Sequence, residues 1–319
     1  MRDISQIAEQ LKNADTIALA VHKNPDSDCI GSASALLVAL KNMGKTVYMY
    51  VDGNVPERLA FLTEKDFFCE RTDISYDVCV AVDVASEELM GSVKEDVFTK
   101  AKVTCCIDHH GTNPGYADYN FVDGSAAAAG ELVYFFIKDY LCMEVTKAIA
   151  TRLYAAIASD TGSFQYSNTT PRTHIIASEL MAKGIDAPFV MRTLFEMKTK
   201  EQLELKAEVT SNLRFYENGK ICVALVDSNL LSKYKMAFEE ADDIAGLPRS
   251  IIGVEVGVYI KVKGEKECKI SLRSNEYIDV ASLARTFGGG GHLRAAGLTI
   301  YEDAKTAEKL VVEAIGKVL

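Results

Sequence analysis

No stretch of this sequence approaches the roughly 20 consecutive apolar residues that a membrane-spanning helix requires. The nearest run, Ala126–Ile137, is interrupted by Glu131. A secretory leader is also missing from the expectation: Asp3 and Glu9 stand where positive charge is needed, and Ile17–Val21 is too short for an apolar segment. The eight cysteines include no C-x-x-C pair, and Cys105-Cys106 are neighbours inside an apolar run. Reduced core thiols in a cytoplasmic protein are therefore expected, not a disulfide framework. Basic residues are scarce as well. Lys and Arg number 35 against 45 Asp and Glu, a net charge of -10, so the broad basic footprint of a long-duplex binder is absent. A small anionic partner remains compatible with local cations or with bound metals, whose charge the count omits.

What is present is an ordinary globular balance, 48% hydrophobic and 25% charged. At 319 residues, two domains are expected. Val- and Ile-rich runs at Thr16–Val21, Lys45–Val51, Asp77–Val82 and Lys102–Ile107 read as buried strands. Gly31–Met43 and Ser86–Lys100 read as helices between them, followed by helical patterns at Ser125–Tyr140, Thr146–Ser159 and Pro171–Lys183. This order predicts an α/β fold whose N-terminal domain is a mostly parallel sheet with helices on both faces. The expected boundaries are residues 1–188 for that domain, 189–211 for a helical connector and 212–319 for a smaller mixed α/β domain. In the last, Lys220–Val226, Ile251–Lys263, Glu267–Ser274 and Leu298–Tyr301 read as strands. Val280–Phe287 and a segment from about Asp303 read as helices, and Gly288–Gly291 lies between them.

The chemistry gathers at strand ends. His22, Asp26 and Asp28 follow the first strand in a loop, because Asn24-Pro25 disfavours a helix there. Asp83 follows the third predicted strand, and Asp108-His109-His110 follows the fourth. Sites in open α/β sheets form beyond the carboxyl ends of the strands, so these loops converge. Asp160, closing a helix, reaches the same edge. A lone Asp after a strand is commonly a turn or cap residue. Several carboxylates packed together without cations repel one another, however. An Asp and His set without Cys suits hard divalent ions, and six ligands exceed what one ion needs. Two ions about 3.5–4 Å apart sharing a carboxylate form the arrangement that activates water against phosphorus.

The segment His22-Lys23-Asn24-Pro25-Asp26-Ser27-Asp28-Cys29-Ile30-Gly31-Ser32, with Asp83, Asp108-His109-His110 and Asp160-Thr161-Gly162, resembles the four motifs of the DHH phosphoesterase superfamily. Gly288-Gly289-Gly290-Gly291-His292-Leu293-Arg294-Ala295-Ala296-Gly297 resembles its DHHA1 substrate domain. Ser27 departs from the usual glycine, at a position that is not a ligand. Within the superfamily, the two-domain form is most similar to the nano-RNases, which trim short oligoribonucleotides and dephosphorylate 3'-phosphoadenosine 5'-phosphate.

The resemblance implies two divalent ions, Mn²⁺ first and Mg²⁺ or Co²⁺ as alternatives. One is held by His22, Asp26 and Asp83, the other by Asp28, Asp83, His109 and Asp160. It implies that Asp108 orients a histidine and that His110 faces the substrate, as catalytic residues. Arg273, Ser274 and Asn275, with Gly289, Gly290, Gly291, His292 and Arg294, are the implied substrate-binding residues. Taken alone, the glycine run reads as a flexible hinge, but backbone without side chains also approaches a phosphate closely. His174 is expected at the surface, and Tyr134-Phe135-Phe136 in the core.

Short single-stranded oligoribonucleotides or small nucleotides are thus the expected partners, with no long duplex and no membrane. The runner-up is a phosphodiesterase acting on cyclic di-AMP or its linear dinucleotide. An inorganic pyrophosphatase shares the metal motifs but not the stretch ending in His292. A catalytically dead nucleotide-binding module conflicts with six intact ligand positions. None of the motifs bears on oligomeric state.

Overall fold

The structure, a computed structural model, describes residues 2–69 and 73–319. The chain divides into two compact units, Met1–Met197 and Lys198–Leu319. In the first, the elements in order are α1 (Arg2–Asn13), β1 (Thr16–Ala20), α2 (Ser27–Asn42), β2 (Thr46–Tyr50), β3 (Val78–Val82), α3 (Ser92–Asp96), β4 (Val103–Asp108) and β5 (Tyr119–Val122). The helices α4 (Ala129–Phe135), α5 (Lys147–Asp160), α6 (Pro171–Met181) and α7 (Ala187–Met191) follow.

The five strands form an all-parallel sheet in the order β2-β1-β3-β4-β5. Alternation along each strand divides the core. Ile17 and Leu19 of β1, Val78, Val80 and Val82 of β3, and Cys105 and Ile107 of β4 point to one face. There they meet Ile30, Leu36 and Leu37 of α2, Leu132 of α4 and Leu153 of α5. Ala18, Ala20, Cys79, Ala81 and Cys106 point to the other, where Met90, Val93, Val97 and Phe98 cover them. Burying one such Ile or Leu contributes about 1.5–3 kcal/mol.

Three local differences from the sequence reading have physical causes. Ser86–Lys100 is not one helix: short 3₁₀ turns flank α3, and Gly91 breaks the run with φ +59°. The Asp52 carboxylate approaches Gly91 closely and accepts the Ser92 amide at 3.0 Å. The helix expected from Ser125 starts at Ala129 and ends in a π-helical turn, Phe136–Tyr140. The amphipathic α1, with Ile4, Ile7, Ala8 and Leu11 buried, and the strand β5 are additions to the elements expected from sequence. Tyr134 and Phe136 are buried, and His174 is exposed. No helix among the described residues is long and apolar enough to cross a membrane. Six of the cysteines are buried free thiols, whereas Cys142 is exposed.

The second unit contains α8 (Lys200–Ser211), β6 (Arg214–Tyr216), β7 (Ile221–Val226), α9 (Ser228–Lys233), β8 (Val256–Lys263), β9 (Glu267–Ser274), α10 (Val280–Arg285), β10 (Gly290–His292), β11 (Ala295–Ile300) and α11 (Ala304–Gly316). Its six-stranded mixed sheet runs β10-β11-β9-β8-β7-β6, with only β7 and β8 parallel. One apolar layer, including Val258, Ile260 and Leu272, packs on α10 and α11; the opposite layer, including Ala224 and Tyr259, packs on Leu205 and Val209 of α8. The strand expected from Ile251 begins at Val256, because a short 3₁₀ turn and Gly253 at φ +91° precede it. The strand expected from Leu298 begins at Ala295. Part of the glycine run is itself strand β10, paired with β11.

α2 and α5 touch through Gly31. A methyl group there would lie 2.6 Å from the Arg152 carbonyl oxygen and 3.0 Å from the Ala156 methyl. Gly31→Ala is therefore expected to lower unfolding free energy by about 1–3 kcal/mol, even though alanine favours an isolated helix by about 1 kcal/mol. Urea denaturation measures this, and an increase in stability would contradict the packing.

Candidate metal centre

The strand order reverses direction at β1 and β3, the position where open parallel sheets leave a crevice at their carboxyl ends. Asp26 is the N-cap of α2 and accepts the Cys29 amide at 3.0 Å, leaving its carboxylate exposed at the rim. Asp28, in the first turn of α2, is buried. It accepts Ser32 Oγ at 3.0 Å, the Ala129 amide at 2.7 Å and the Gly130 amide at 3.0 Å. Two helix starts thus supply it with positive dipole ends. Burial nevertheless dominates and raises its pKa, with the nearby Asp26 adding to the rise and His109 and the two amides opposing it.

Asp83 follows β3 in a left-handed conformation, φ +58°, a strain of about 1–3 kcal/mol for a residue with a side chain. Its amide donates to the Ile107 carbonyl at 2.9 Å, which fixes the turn. The carboxyl group is buried, and Oδ1 has no hydrogen-bond partner among the described residues. Burial, then the charges of Asp28, Asp26, Asp108 and Asp160, push its pKa well above the ordinary value.

His109 completes this cluster. Its Nδ1 lies 3.3 Å from the Ala126 carbonyl, which only accepts, so Nδ1 carries the proton and Nε2 presents a lone pair. Nε2 is 3.6 Å from Asp28 Oδ2, 3.5 Å from Asp83 Oδ1 and 3.5 Å from Asp160 Oδ2. These gaps are too long for good hydrogen bonds. They fit donors sharing an ion: ligands about 2.1 Å from a metal lie roughly 3.0–3.4 Å apart. His22 donates Nδ1 to the Lys23 carbonyl at 2.9 Å, which leaves Nε2 with the lone pair. Donor atoms of His22, Cys29 and Asp83 lie within 4.8 Å of one another. Burial, reinforced by Asp83, pushes the Cys29 thiol well up, and its Sγ donates to the Val82 carbonyl at 3.6 Å. The thiol is thereby engaged with the main chain, and the Asp and His donors around it form a hard set.

Asp108 has a different task. It is fully buried, accepts His110 Nδ1 at 2.7 Å on Oδ1 and Asn113 Nδ2 at 2.7 Å on Oδ2. Burial works against its charge, but the His110 and Asn113 bonds outweigh it and hold its pKa below the ordinary value. The histidine that Asp108 orients is thus His110, whose side chain is 25% exposed. Sequence reasoning missed Asn113, Ala126, Ala129 and Gly130, which act through main-chain groups or an amide. It also missed Asn168, whose Nδ2 ties the Ala127 carbonyl at 2.9 Å to the Asp160 carbonyl at 3.0 Å.

In the second unit, the expected substrate-binding residues gather at one end of the sheet. Arg273 and Ser274 end β9, and Arg273 pairs in register with Ala295 of β11. Several already have internal partners. Ser274 Oγ donates to the Ile278 carbonyl at 2.7 Å, and Asn275 Nδ2 holds the carbonyls of Arg249 and Val254. Arg294 donates to the carbonyls of Ile278 and Glu276. A methyl on Gly289 would lie 2.2 Å from the Gly297 carbonyl oxygen, so this glycine serves close strand packing. Gly291, at φ +140°, needs its conformation for the same hairpin, whereas Gly290 faces open space and His292 is exposed.

Two family profiles match the chain: the DHH family, N-terminal domain, over residues 16–157, and the DHHA1 domain over residues 218–318. A protein of Thermus thermophilus named bifunctional oligoribonuclease and PAP phosphatase NrnA is 33% identical, covering 97% of this chain and 92% of that protein. Its namesake in Bacillus subtilis is 29% identical over 90% of each chain. Among solved structures, an exopolyphosphatase-related protein from Bacteroides fragilis superposes with a TM-score of 0.89 at 25% identity, covering 99% of this chain and 96% of that one.

The unpartnered Asp83 oxygen gives a direct thermodynamic expectation. Mn²⁺ at 100 times its dissociation constant should add about 2.7 kcal/mol of stability. Asp83→Asn should abolish this gain without lowering metal-free stability. Differential scanning calorimetry with and without Mn²⁺ tests both, and an undiminished Mn²⁺ gain in the variant would remove Asp83 from the centre.

Proposed function

This chain belongs to the DHH family of phosphoesterases, and from that membership we propose that it hydrolyses short oligoribonucleotides to mononucleotides and 3'-phosphoadenosine 5'-phosphate to AMP. The observation that carries the reading is the His109 Nε2 faced by three carboxylate oxygens, one of which, Asp83 Oδ1, no hydrogen bond satisfies. Such a cluster calls for cations. In this reading His22, Asp26 and Asp83 would hold one divalent ion, and Asp28, Asp83, His109 and Asp160 would hold a second. Mn²⁺ suits the oxygen-rich set with imidazoles, ahead of Mg²⁺ or Co²⁺. When bound, the ions supply an activated water and neutralise charge on the phosphoryl group.

The remaining steps belong to the protein. Asp108 fixes the His110 tautomer by accepting from Nδ1, so Nε2 is the atom that exchanges a proton with the substrate. In its doubly protonated form, with Asp108 balancing the charge, His110 gives the Nε2 proton to the leaving oxygen and ends as the neutral imidazole, a contribution of about 10²–10⁴-fold when well placed. Arg273, His292 and the backbone around Gly290 bind phosphate and base; Ser274, Asn275 and Arg294 hold that end of the sheet in shape. The relatives' names favour RNA and the bisphosphate over cyclic di-AMP.

With Mn²⁺, the purified protein should turn over RNAs of two to five residues and the bisphosphate faster than cyclic di-AMP. Asp108→Asn should keep KM while kcat falls about 10²–10⁴-fold. Failure to hydrolyse either preferred substrate would refute the function, and an unchanged kcat would refute the role of Asp108.

A further inference from the structure

The segment 126–131 touches three of the residues assigned to metal, each through its main chain. The Ala126 carbonyl faces His109 Nδ1, the Ala129 and Gly130 amides hold Asp28, and the Ala127 carbonyl is linked through Asn168 to the Asp160 carbonyl. A shift of this backbone would therefore move an imidazole and two carboxylates together.

One side chain anchors the segment. Glu131 is fully buried. Its Oε1 accepts Thr173 Oγ1 at 2.6 Å; its Oε2 accepts Arg172 Nε at 2.9 Å and the Ala127 amide at 3.4 Å. Arg172 Nη1 also lies 3.6 Å from Asp123 Oδ2, three residues before the segment, so its guanidinium reaches from Glu131 to the stretch that leads into it. Arg172 and Thr173 are themselves set by the start of α6, where Thr170 and Thr173 form a reciprocal capping box around Pro171. Glu131 is buried while the Arg172 side chain is 35% exposed, so desolvation of the carboxylate offsets much of the attraction and the pair is a poor device for stability alone. Its geometry here is directed at one strip of backbone, and that strip carries the contacts to the metal residues.

We propose that Glu131 and Arg172 are positioning residues for the metal centre, setting ligand geometry through the 126–131 backbone. This rests on the reading that Asp28, His109 and Asp160 bind metal. Supporting groups of this kind typically change metal affinity about 10–100-fold when altered.

The test measures Mn²⁺ affinity by titration calorimetry alongside metal-free thermal stability, for the wild type, Glu131→Gln, Arg172→Gln, Arg172→Lys and the Glu131→Gln/Arg172→Gln double variant. Each single Gln variant should bind Mn²⁺ about 10–100-fold more weakly, with partial recovery in Arg172→Lys. The double variant leaves no unpaired buried charge, so its metal-free stability should return toward wild type while its Mn²⁺ affinity stays weak. Should a single variant not fold, the double variant and Arg172→Lys carry the comparison. Wild-type Mn²⁺ affinity in the double variant would show that the pair only stabilises the fold and would overturn the proposal. A wild-type protein that binds no Mn²⁺ would instead overturn the metal assignment beneath it.

Discussion

Five carboxylates, from Asp26, Asp28, Asp83, Asp108 and Asp160, are brought to one edge of a parallel sheet, three of them buried. Two like charges 4 Å apart repel by about 1 kcal/mol in water and about 4 kcal/mol at the effective dielectric of a protein. The local structure is organised around relieving that repulsion. It does so unevenly. Asp28 receives a hydroxyl and two amides, and Asp108 receives an imidazole and an amide. Asp83 keeps one buried oxygen with no hydrogen-bond partner among the described residues. The carboxylate left least satisfied is the one placed between the others, where a shared cation would do most.

The fold supplies this arrangement through the order of its strands. Because β1 and β3 are neighbours while β2 lies outside them, their following loops open away from each other and leave a crevice. α2 then starts at that crevice with Asp26 as its cap, and the close contact of α2 with α5 at Gly31 brings Asp160 to the same edge. The left-handed turn at Asp83 aims its side chain inward at a conformational cost that the Ile107 contact helps to sustain. Stability and site geometry therefore share the same contacts.

Much of this was legible in the sequence, for a specific reason. Val- and Ile-rich runs mark β1 to β4, and every chemically loaded residue of the centre except Asp160, which ends α5, lies at or just beyond the end of one of them, so sequence position predicted convergence. What escaped acts through backbone or across long sequence separations. The alanine-rich run from Ser125 reads as helix by propensity, yet residues 126–128 form an irregular stretch whose carbonyls face His109 and Asn168. Glu131 does leave a trace, an acid inside an apolar run, but in the sequence it signals only an interruption of a membrane span. The partners Arg172 and Thr173 lie about forty residues away, beyond any local pattern. In the second unit, Arg294 and Asn275 match a binding motif, and only the folded chain shows that their donors support neighbouring loops.

In the proposed function Asp83 would be shared between two ions. Anomalous diffraction from crystals grown with Mn²⁺ tests it most directly. Two Mn²⁺ peaks are expected, both within bonding distance of the Asp83 carboxylate, one beside His22 and the other beside His109. A single peak, or two peaks of which one does not touch Asp83, would contradict it.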